Sequence, residues 1–78
     1  MCKLNRPSTP TRIFGARVRA ARHERGWSIE QLGDSAELHW TYVGSVERGE
    51  RNISLLNILR LAASLEVDPG ELVKDIPP

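Results

Sequence analysis

Residues 26–65 read GWSIEQLGDSAELHWTYVGSVERGERNISLLNILRLAASL, and this stretch decides the fold. Ser28 and Gln31 stand three residues apart before an apolar run, which is the spacing of a capping box at the start of a helix. We predict a short helix over 29–35, a turn at 37–39 and a second short helix over 40–48, which a glycine ends. A helix of about two turns is not stable alone, so neighbouring helices must hold this pair.

The chain before this pair predicts an arm and one helix. Residues 1–10 contain two prolines and show no apolar period, so we expect a flexible N-terminal arm. Over 11–25, apolar residues recur at helical spacing among arginines, and Thr9 or Thr11 is the expected cap. The expected division is therefore an arm over 1–10 and one domain over 11–78.

The chain after the pair predicts two more helices. Ser54 is the expected cap of a helix over 55–65, whose residues are apolar around much of its circumference. Such a helix forms the centre of the core, or it spans both the core and a dimer contact. Asp68 and Pro69 predict the start of a fifth helix over 69–74. With no strand-like alternation, the predicted fold class is all-α.

Composition excludes several classes of protein. The one cysteine, Cys2, allows no internal disulfide and no cysteine-based zinc site. No apolar run approaches the roughly 20 residues that span a bilayer, and the N-terminus lacks the apolar region of a secretory signal. His23 and His39 have no partner at a metal-ligand spacing, and no phosphate loop or nucleophile elbow occurs. We expect a cytoplasmic protein with no membrane partner, no catalytic residue, no metal and no cofactor, and hence no enzyme.

Charge is divided unevenly along a chain whose formal net charge is +1. Residues 1–25 carry seven basic side chains and one acidic one, whereas residues 26–78 carry four basic and nine acidic ones. A basic end suggests an anionic partner on one side, although a solvated helix face has the same composition. The spacing of the two central helices agrees with DNA as that partner. A short helix with an exposed N-terminal end fits the major groove, about 12 Å wide, while the helix before it crosses the backbone.

The same stretch resembles the Cro/phage-repressor-like (XRE) helix-turn-helix family, and the resemblance extends over residues 13–76. It is carried by the Gly26 stop, the Ser28 cap, Leu32, the aliphatic-Glu-Arg-Gly run over 46–49, Arg51, Asn52, Ser54 and the apolar pattern of the fourth helix. Within the family, LHWTYVGSVERGERN looks most like the controller proteins of restriction-modification systems, which are small homodimeric regulators.

Three positions depart from the family's pattern. Ile29 stands where the family usually has a glutamine that holds a phosphate, and Gly33 stands where alanine is frequent. Trp40 stands where controller-like sequences often have an arginine that reads guanine. Tryptophan cannot make the bidentate contact of arginine to guanine, so it either packs on a thymine methyl group or folds back onto the protein. We therefore expect a DNA site different from those of the arginine-bearing relatives.

The resemblance places the base readers on the third helix. Thr41 and Ser45 offer hydroxyl groups one turn apart, so both can face the floor of the groove, and base contact is favoured over the alternative that they are merely small and exposed. Trp40 and His39 occupy the tip of this helix. His39 is a base reader, a phosphate contact or the cap of the helix.

The expected phosphate contacts lie around that helix. Arg51 and Asn52 occupy the loop with which the family touches the DNA backbone, and Arg51 can also reach a base in the minor groove. Tyr42 packs its ring in the core, reaches a phosphate with its hydroxyl, or does both. Ser28 lies at a helix N-terminus that attracts anions, besides its role as a cap, and Arg17 adds a contact from the first helix.

Two further expectations concern structure and assembly. The family pairs an arginine of the first helix with the glutamate that ends the third, and the matching residues are Arg22 and Glu47. One recognition helix reads too few base pairs for a genome, so we expect a homodimer on half-sites about 34 Å apart. The expected interface is apolar and contains Leu55, Ile58, Leu72, Val73 and Ile76.

The predicted protein is a five-helix, repressor-like DNA-binding domain whose second and third helices form the helix-turn-helix. Its predicted function is sequence-specific regulation of transcription, as a homodimeric controller of a restriction-modification operon with an inverted-repeat operator. The expected partners are double-stranded DNA, a second copy of the chain and RNA polymerase. Two alternatives remain open: an antitoxin or phage-type repressor, and a protein-interaction module that has lost DNA binding.

Overall fold

Five helices and the turns and loops between them form residues 9–78, the part of the chain that the computed structural model describes. The helices are α1 (Thr9–Glu24), α2 (Ile29–Ala36), α3 (Trp40–Glu47), α4 (Leu55–Leu65) and α5 (Pro69–Val73). No strand occurs among these residues, so the predicted all-α class is confirmed, and each predicted helix lies within two residues of its observed bounds. None of the five has the length and hydropathy of a membrane-crossing helix.

The start of α1 differs from the prediction. Thr9 and Pro10 belong to the helix rather than to the predicted arm, and the rest of that arm, residues 1–8, lies outside the described residues. A proline fits the first turn of a helix because the N–H it lacks would have no partner there. Thr11 is not the cap that the sequence suggested. Its Oγ1 donates to the backbone oxygen of Gly49 at 2.7 Å, which ties the first turn of α1 to the end of α3.

Side-chain caps begin α2 and α4 where the sequence predicts them. Ser28 Oγ accepts from the N–H of Gln31 at 3.1 Å, and Gln31 Oε1 accepts from the N–H of Ser28 at 2.8 Å, which confirms the capping box. Ser54 Oγ accepts from the N–H of Asn57 at 3.2 Å. Asp68 occupies the N-cap position of α5, but its side chain makes no capping hydrogen bond.

Every helix contributes an apolar face to one core. Its buried members are Phe14, Val18, Leu32, Ala36, Val43, Val46, Leu61, Ala62, Leu65 and Leu72. The side of α4 away from this core is also apolar, because Leu55, Leu56 and Leu59 are exposed there by 72%, 58% and 43%. The sequence predicts that this helix forms the centre of the core or spans both the core and a dimer contact. The first role is excluded, because α4 packs on one side and presents leucines to solvent on the other.

A buried ion pair joins α1 to the last residue of α3, as predicted. Arg22 donates from Nε and Nη2 to the two carboxylate oxygens of Glu47 at 2.7 and 2.9 Å, and from Nη1 to the backbone oxygen of Trp27 at 2.9 Å. The side chains of the pair are only 9% and 4% exposed. The hydrogen bond to Glu47 raises the pKa of Arg22 above its ordinary value, although burial opposes this shift. The Arg22 guanidinium therefore keeps its charge although it is buried.

We expect Glu47→Gln to lower the free energy of unfolding by about 3 kcal/mol, because it leaves the charge of Arg22 buried without a counter-charge. Glu50→Gln is the matched control. Glu50 makes the same two-point contact with Arg48, at 3.1 and 3.2 Å, but on the exposed surface, where ion pairs add little. Urea unfolding followed by circular dichroism measures both variants. Equally small losses in the two would contradict the structural role of the buried pair.

Candidate nucleic-acid interface

The turn between α2 and α3 is closed by backbone contact. Glu37 ends α2 in the left-handed conformation, with φ of 61°, and the N–H of Leu38 donates to the backbone oxygen of Gly33 at 2.9 Å. A Cβ atom on Gly33 would lie 2.6 Å from the backbone oxygen of Leu38, so no side chain fits there. The sequence marks Gly33 as a poor helix residue, but this glycine allows the close backbone approach in the turn that joins α2 to α3.

His39 caps the N-terminal tip of α3. Its Nδ1 accepts from the N–H of Thr41 at 3.1 Å and lies 2.7 Å from the Oγ1 of the same threonine. A ring nitrogen that accepts from a backbone N–H carries no proton, so the Thr41 hydroxyl donates to it and keeps its lone pairs for an outside donor. The His39 ring stacks on the indole of Trp40, with 5.8 Å between ring centroids. Of the three roles predicted for His39, the structure supports the helix cap.

The exposed edge of α3 is shorter than the sequence predicts. Trp40 is 50% exposed and Thr41 is also exposed, whereas Ser45 is only 6% exposed. The Ser45 hydroxyl donates to the backbone oxygen of Tyr42 at 2.8 Å and accepts from Nε of Arg51 at 3.1 Å. The prediction of Ser45 as a base reader is therefore corrected, because its hydroxyl is already engaged by two groups of the protein.

Arg51 and Tyr42 form one surface beside this edge. The guanidinium carbon of Arg51 lies 5.8 Å from the centroid of the Tyr42 ring, and the Tyr42 hydroxyl accepts from Nδ2 of Asn57 at 3.2 Å. Having accepted one bond, the hydroxyl keeps its proton for an outside acceptor. Sequence reasoning missed Asn57, and no local signal identifies it, because it contacts Tyr42 from the start of a different helix.

A second arginine on this surface was also missed. Arg48 follows Thr41 by seven residues, the spacing that returns a side chain to the same helix face, and its guanidinium lies 3.3 Å from where a Cβ of Gly44 would be. The hydrogen bond between Arg48 and Glu50 raises the pKa of the arginine and lowers that of the glutamate. The charge of Arg48 is thus balanced locally. Arg51, in contrast, makes no ion pair with any carboxylate of residues 9–78.

The other predicted phosphate contacts have different surroundings. Arg17 donates from Nη1 to the backbone oxygens of Lys74 at 2.7 Å and Glu71 at 3.4 Å, so it closes the end of α5 onto α1. This corrects its predicted role as a phosphate contact. Ser28 is exposed and uses its oxygen and N–H in the capping box, and its hydroxyl proton is donated to no acceptor among residues 9–78. Asn52 is exposed in the loop after α3.

The predicted dimer residues do not all reach the surface. Leu72 is 3% exposed and belongs to the core, so its predicted place in the dimer interface is wrong. The short α5 has too few residues for its buried face to be identified by periodicity. The four that retain exposure are Leu55, Ile58, Val73 and Ile76, and the last three line an open apolar cavity of about 350 Å³. Leu56 and Leu59, which were not predicted, extend the apolar surface of α4.

A model of helix-turn-helix domains matches residues 18–72, which include the second half of α1 and the whole of α2, α3 and α4. The chain belongs to the helix-turn-helix family. Within residues 9–78, this family member has no group of three side chains arranged to hold a metal ion.

Known proteins similar to the chain include restriction-modification controllers. The control protein C.BamHI of Bacillus amyloliquefaciens is 40% identical over 62 residues, which cover 78% of this chain and 76% of the relative. The controller protein C.AhdI from Aeromonas hydrophila has a crystal structure that matches with a TM-score of 0.78 at 48% identity, over 80% of this chain and 94% of that one. The P22 c2 repressor in complex with a synthetic operator matches with a TM-score of 0.75 at 27% identity, over 80% and 94% of the two chains. These similarities confirm the family resemblance predicted from residues 26–65.

Proposed function

We propose that the chain is a sequence-specific DNA-binding regulator of transcription that controls a restriction-modification operon. It acts in the cytoplasm as a homodimer on an inverted-repeat operator. The observation that carries the proposal is the exposed tip of α3, residues 39–41, held on a rigid helix pair in a member of this family. Identities of 40% and 48% to control proteins, against 27% to a phage repressor, favour the restriction-modification role over the repressor alternative.

In the proposed complex, α3 enters the major groove and α2 crosses the DNA backbone. The Thr41 hydroxyl, which donates to His39, presents lone pairs to the groove. Lone pairs match the exocyclic amino groups of adenine or cytosine, which are donors in the major groove. The exposed indole of Trp40 packs on a thymine methyl group beside them, in place of the guanine contact of an arginine.

Phosphate contacts fix the position of α3 without reading sequence. The Tyr42 hydroxyl and the Arg51 guanidinium donate from one side of α3, and Asn52 donates from the adjoining loop. Ser28 donates its hydroxyl proton at the start of α2, where the helix dipole also favours an anion. Because Arg48 is already paired with Glu50, Arg51 supplies the unbalanced positive charge of this surface.

The homodimer forms through the leucine face of α4. Leu55 and Leu59 are one helical turn apart and both exposed, with Leu56 beside them. Large apolar side chains clustered on one exposed helix face indicate a protein contact. A two-fold axis at this face would set two recognition helices against half-sites about 34 Å apart. RNA polymerase is the additional partner of a dimer that activates its promoter.

The DNA proposal is tested with a duplex that carries the sequence immediately upstream of the gene. We expect specific binding that weakens steeply from about 50 to 200 mM salt, because cationic contacts release counterions. Thr41→Ala should lower specific affinity about tenfold for each half-site, because a base contact is lost. Ser64→Ala, which removes the 3.0 Å hydrogen bond between Ser35 and Ser64, is the matched control and should bind like the wild type. A wild-type chain that binds no duplex, or binds without salt dependence, would contradict the proposal and favour the protein-interaction alternative.

The dimer is tested by sedimentation velocity. We expect the wild type to sediment as a dimer at high micromolar concentration and Leu55→Glu to sediment as a monomer, because the interface would bury an unpaired carboxylate. Ala20→Glu places the same side chain on the exposed face of α1 and should leave the dimer intact. A monomeric wild type, or equal dissociation by both substitutions, would count against the α4 interface.

A further inference from the structure

We propose that Ser45 is a positioning residue for DNA binding, which holds the guanidinium of Arg51 against α3 so that its outer nitrogens donate to a backbone phosphate. The proposal rests on the proposed function, since the contact matters only when a duplex docks on α3. It replaces the base contact that the sequence predicted for Ser45 with an indirect role through Arg51.

Ser45 presents an acceptor in a fixed direction. A serine hydroxyl has one proton, and that of Ser45 is donated to the backbone oxygen of Tyr42 at 2.8 Å. Its lone pairs are therefore held in place, and one of them faces Nε of Arg51 at 3.1 Å. Because Ser45 is only 6% exposed, little water competes with Arg51 for this acceptor.

Arg51 is thereby held at two points. Its Nε is bound to Ser45, and its guanidinium lies over the ring of Tyr42, 5.8 Å from the centroid. An arginine in a loop otherwise loses much rotamer freedom when it binds a partner, and holding it in place beforehand reduces that loss.

The hydrogen bond to Ser45 uses the Nε–H donor of Arg51 and leaves the donors of its two Nη groups available. Guanidinium has five N–H donors, of which Nε–H is one, and the fork of the two Nη groups matches phosphate geometry. Neither Nη of Arg51 makes a hydrogen bond with any of residues 9–78. Arg48 shows the opposite arrangement, because its Nε and Nη2 both bind Glu50, at 3.1 and 3.2 Å. Arg51 is thus the arginine of this surface whose fork is free to receive an anion.

A double-mutant cycle tests the link between Ser45 and Arg51. Affinity is measured by fluorescence anisotropy for the wild type, Ser45→Ala, Arg51→Ala and the double variant. Each binds the upstream duplex and an unrelated duplex of equal length. We expect Ser45→Ala to weaken binding to both duplexes roughly two- to tenfold, because a disordered Arg51 must then be ordered on binding. Arg51→Ala should weaken binding at least as much and lower the slope of log affinity against log salt by about 1 for each phosphate contact. In the Arg51→Ala background, Ser45→Ala should have no further effect.

A second variant keeps the test decisive if Ser45→Ala fails to fold. Arg51→Lys changes an exposed side chain and keeps its charge, but it cannot both bind Ser45 and offer a fork to phosphate. It should lose as much affinity as Ser45→Ala, whereas Ser64→Ala should lose none.

Several results would overturn the inference. Additive losses in the double variant would mean that Ser45 acts through the stability of the fold and not through Arg51. Wild-type affinity in Ser45→Ala or in Arg51→Lys would show that the orientation of the guanidinium is irrelevant, and the proposed function would survive. A loss confined to the upstream duplex would assign Arg51 to a base and reject the phosphate contact. A wild type that binds neither duplex would overturn this inference and the proposed function together.

Discussion

The bond between Arg22 and Glu47 is the constraint on which the candidate interface depends. An apolar pair of similar volume would stabilise the core at least as well, because the free energy needed to remove two charges from water offsets much of the free energy of their attraction. The advantage of the ion pair is that it sets the orientation of one helix relative to the other. A guanidinium meets a carboxylate in one plane and at two points, here 2.7 and 2.9 Å, so the end of α3 has one orientation relative to α1. The hydrogen bond from Thr11 to Gly49, at 2.7 Å, fixes the same end from the first turn of α1.

The C-terminal end of the eight-residue α3 is thus fixed, while its N-terminal tip, residues 39–41, is exposed. The surface beside that tip is composite. The first turn of α3 contributes Trp40 and Thr41, while Arg48 and Arg51 lie back against the middle of the helix from its end and from the loop beyond. A duplex that docks on this surface would meet hydroxyl and indole groups at one end and guanidinium groups at the other. In the proposed complex, specificity and electrostatic attraction are therefore separated along one short helix.

The sequence predicts the helices well because their starts and stops are local. The capping box at Ser28, the cap at Ser54 and the glycine after α3 all act within one turn, and each helix lies within two residues of its predicted bounds. The ion pair between Arg22 and Glu47 came from the family resemblance, since nothing local joins residues 25 positions apart.

The errors share a physical cause, which is contact between distant parts of the chain. Helical periodicity places Ser45 one turn after Thr41, but it contains no information about an arginine six residues later whose Nε binds the Ser45 hydroxyl. Helical periodicity predicts that Arg17 is exposed, yet its guanidinium donates to the backbone oxygens of Glu71 and Lys74, 54 and 57 residues away. The lack of an apolar period predicts an arm at Pro10, but this proline fits the first turn of α1. Local chemistry thus predicts which elements exist, and tertiary contact decides which polar groups remain free.

The central claim is that a duplex contacts the tip of α3 and the Arg51 loop. The most direct measurement is an NMR titration of the isotope-labelled chain with the duplex from upstream of its gene, observing the backbone amides. The account predicts that the largest shift changes occur at residues 39–42 and 51–52, with small changes throughout α5. Large changes in α5 or on the leucine face of α4, with residues 39–42 unaffected, would contradict it.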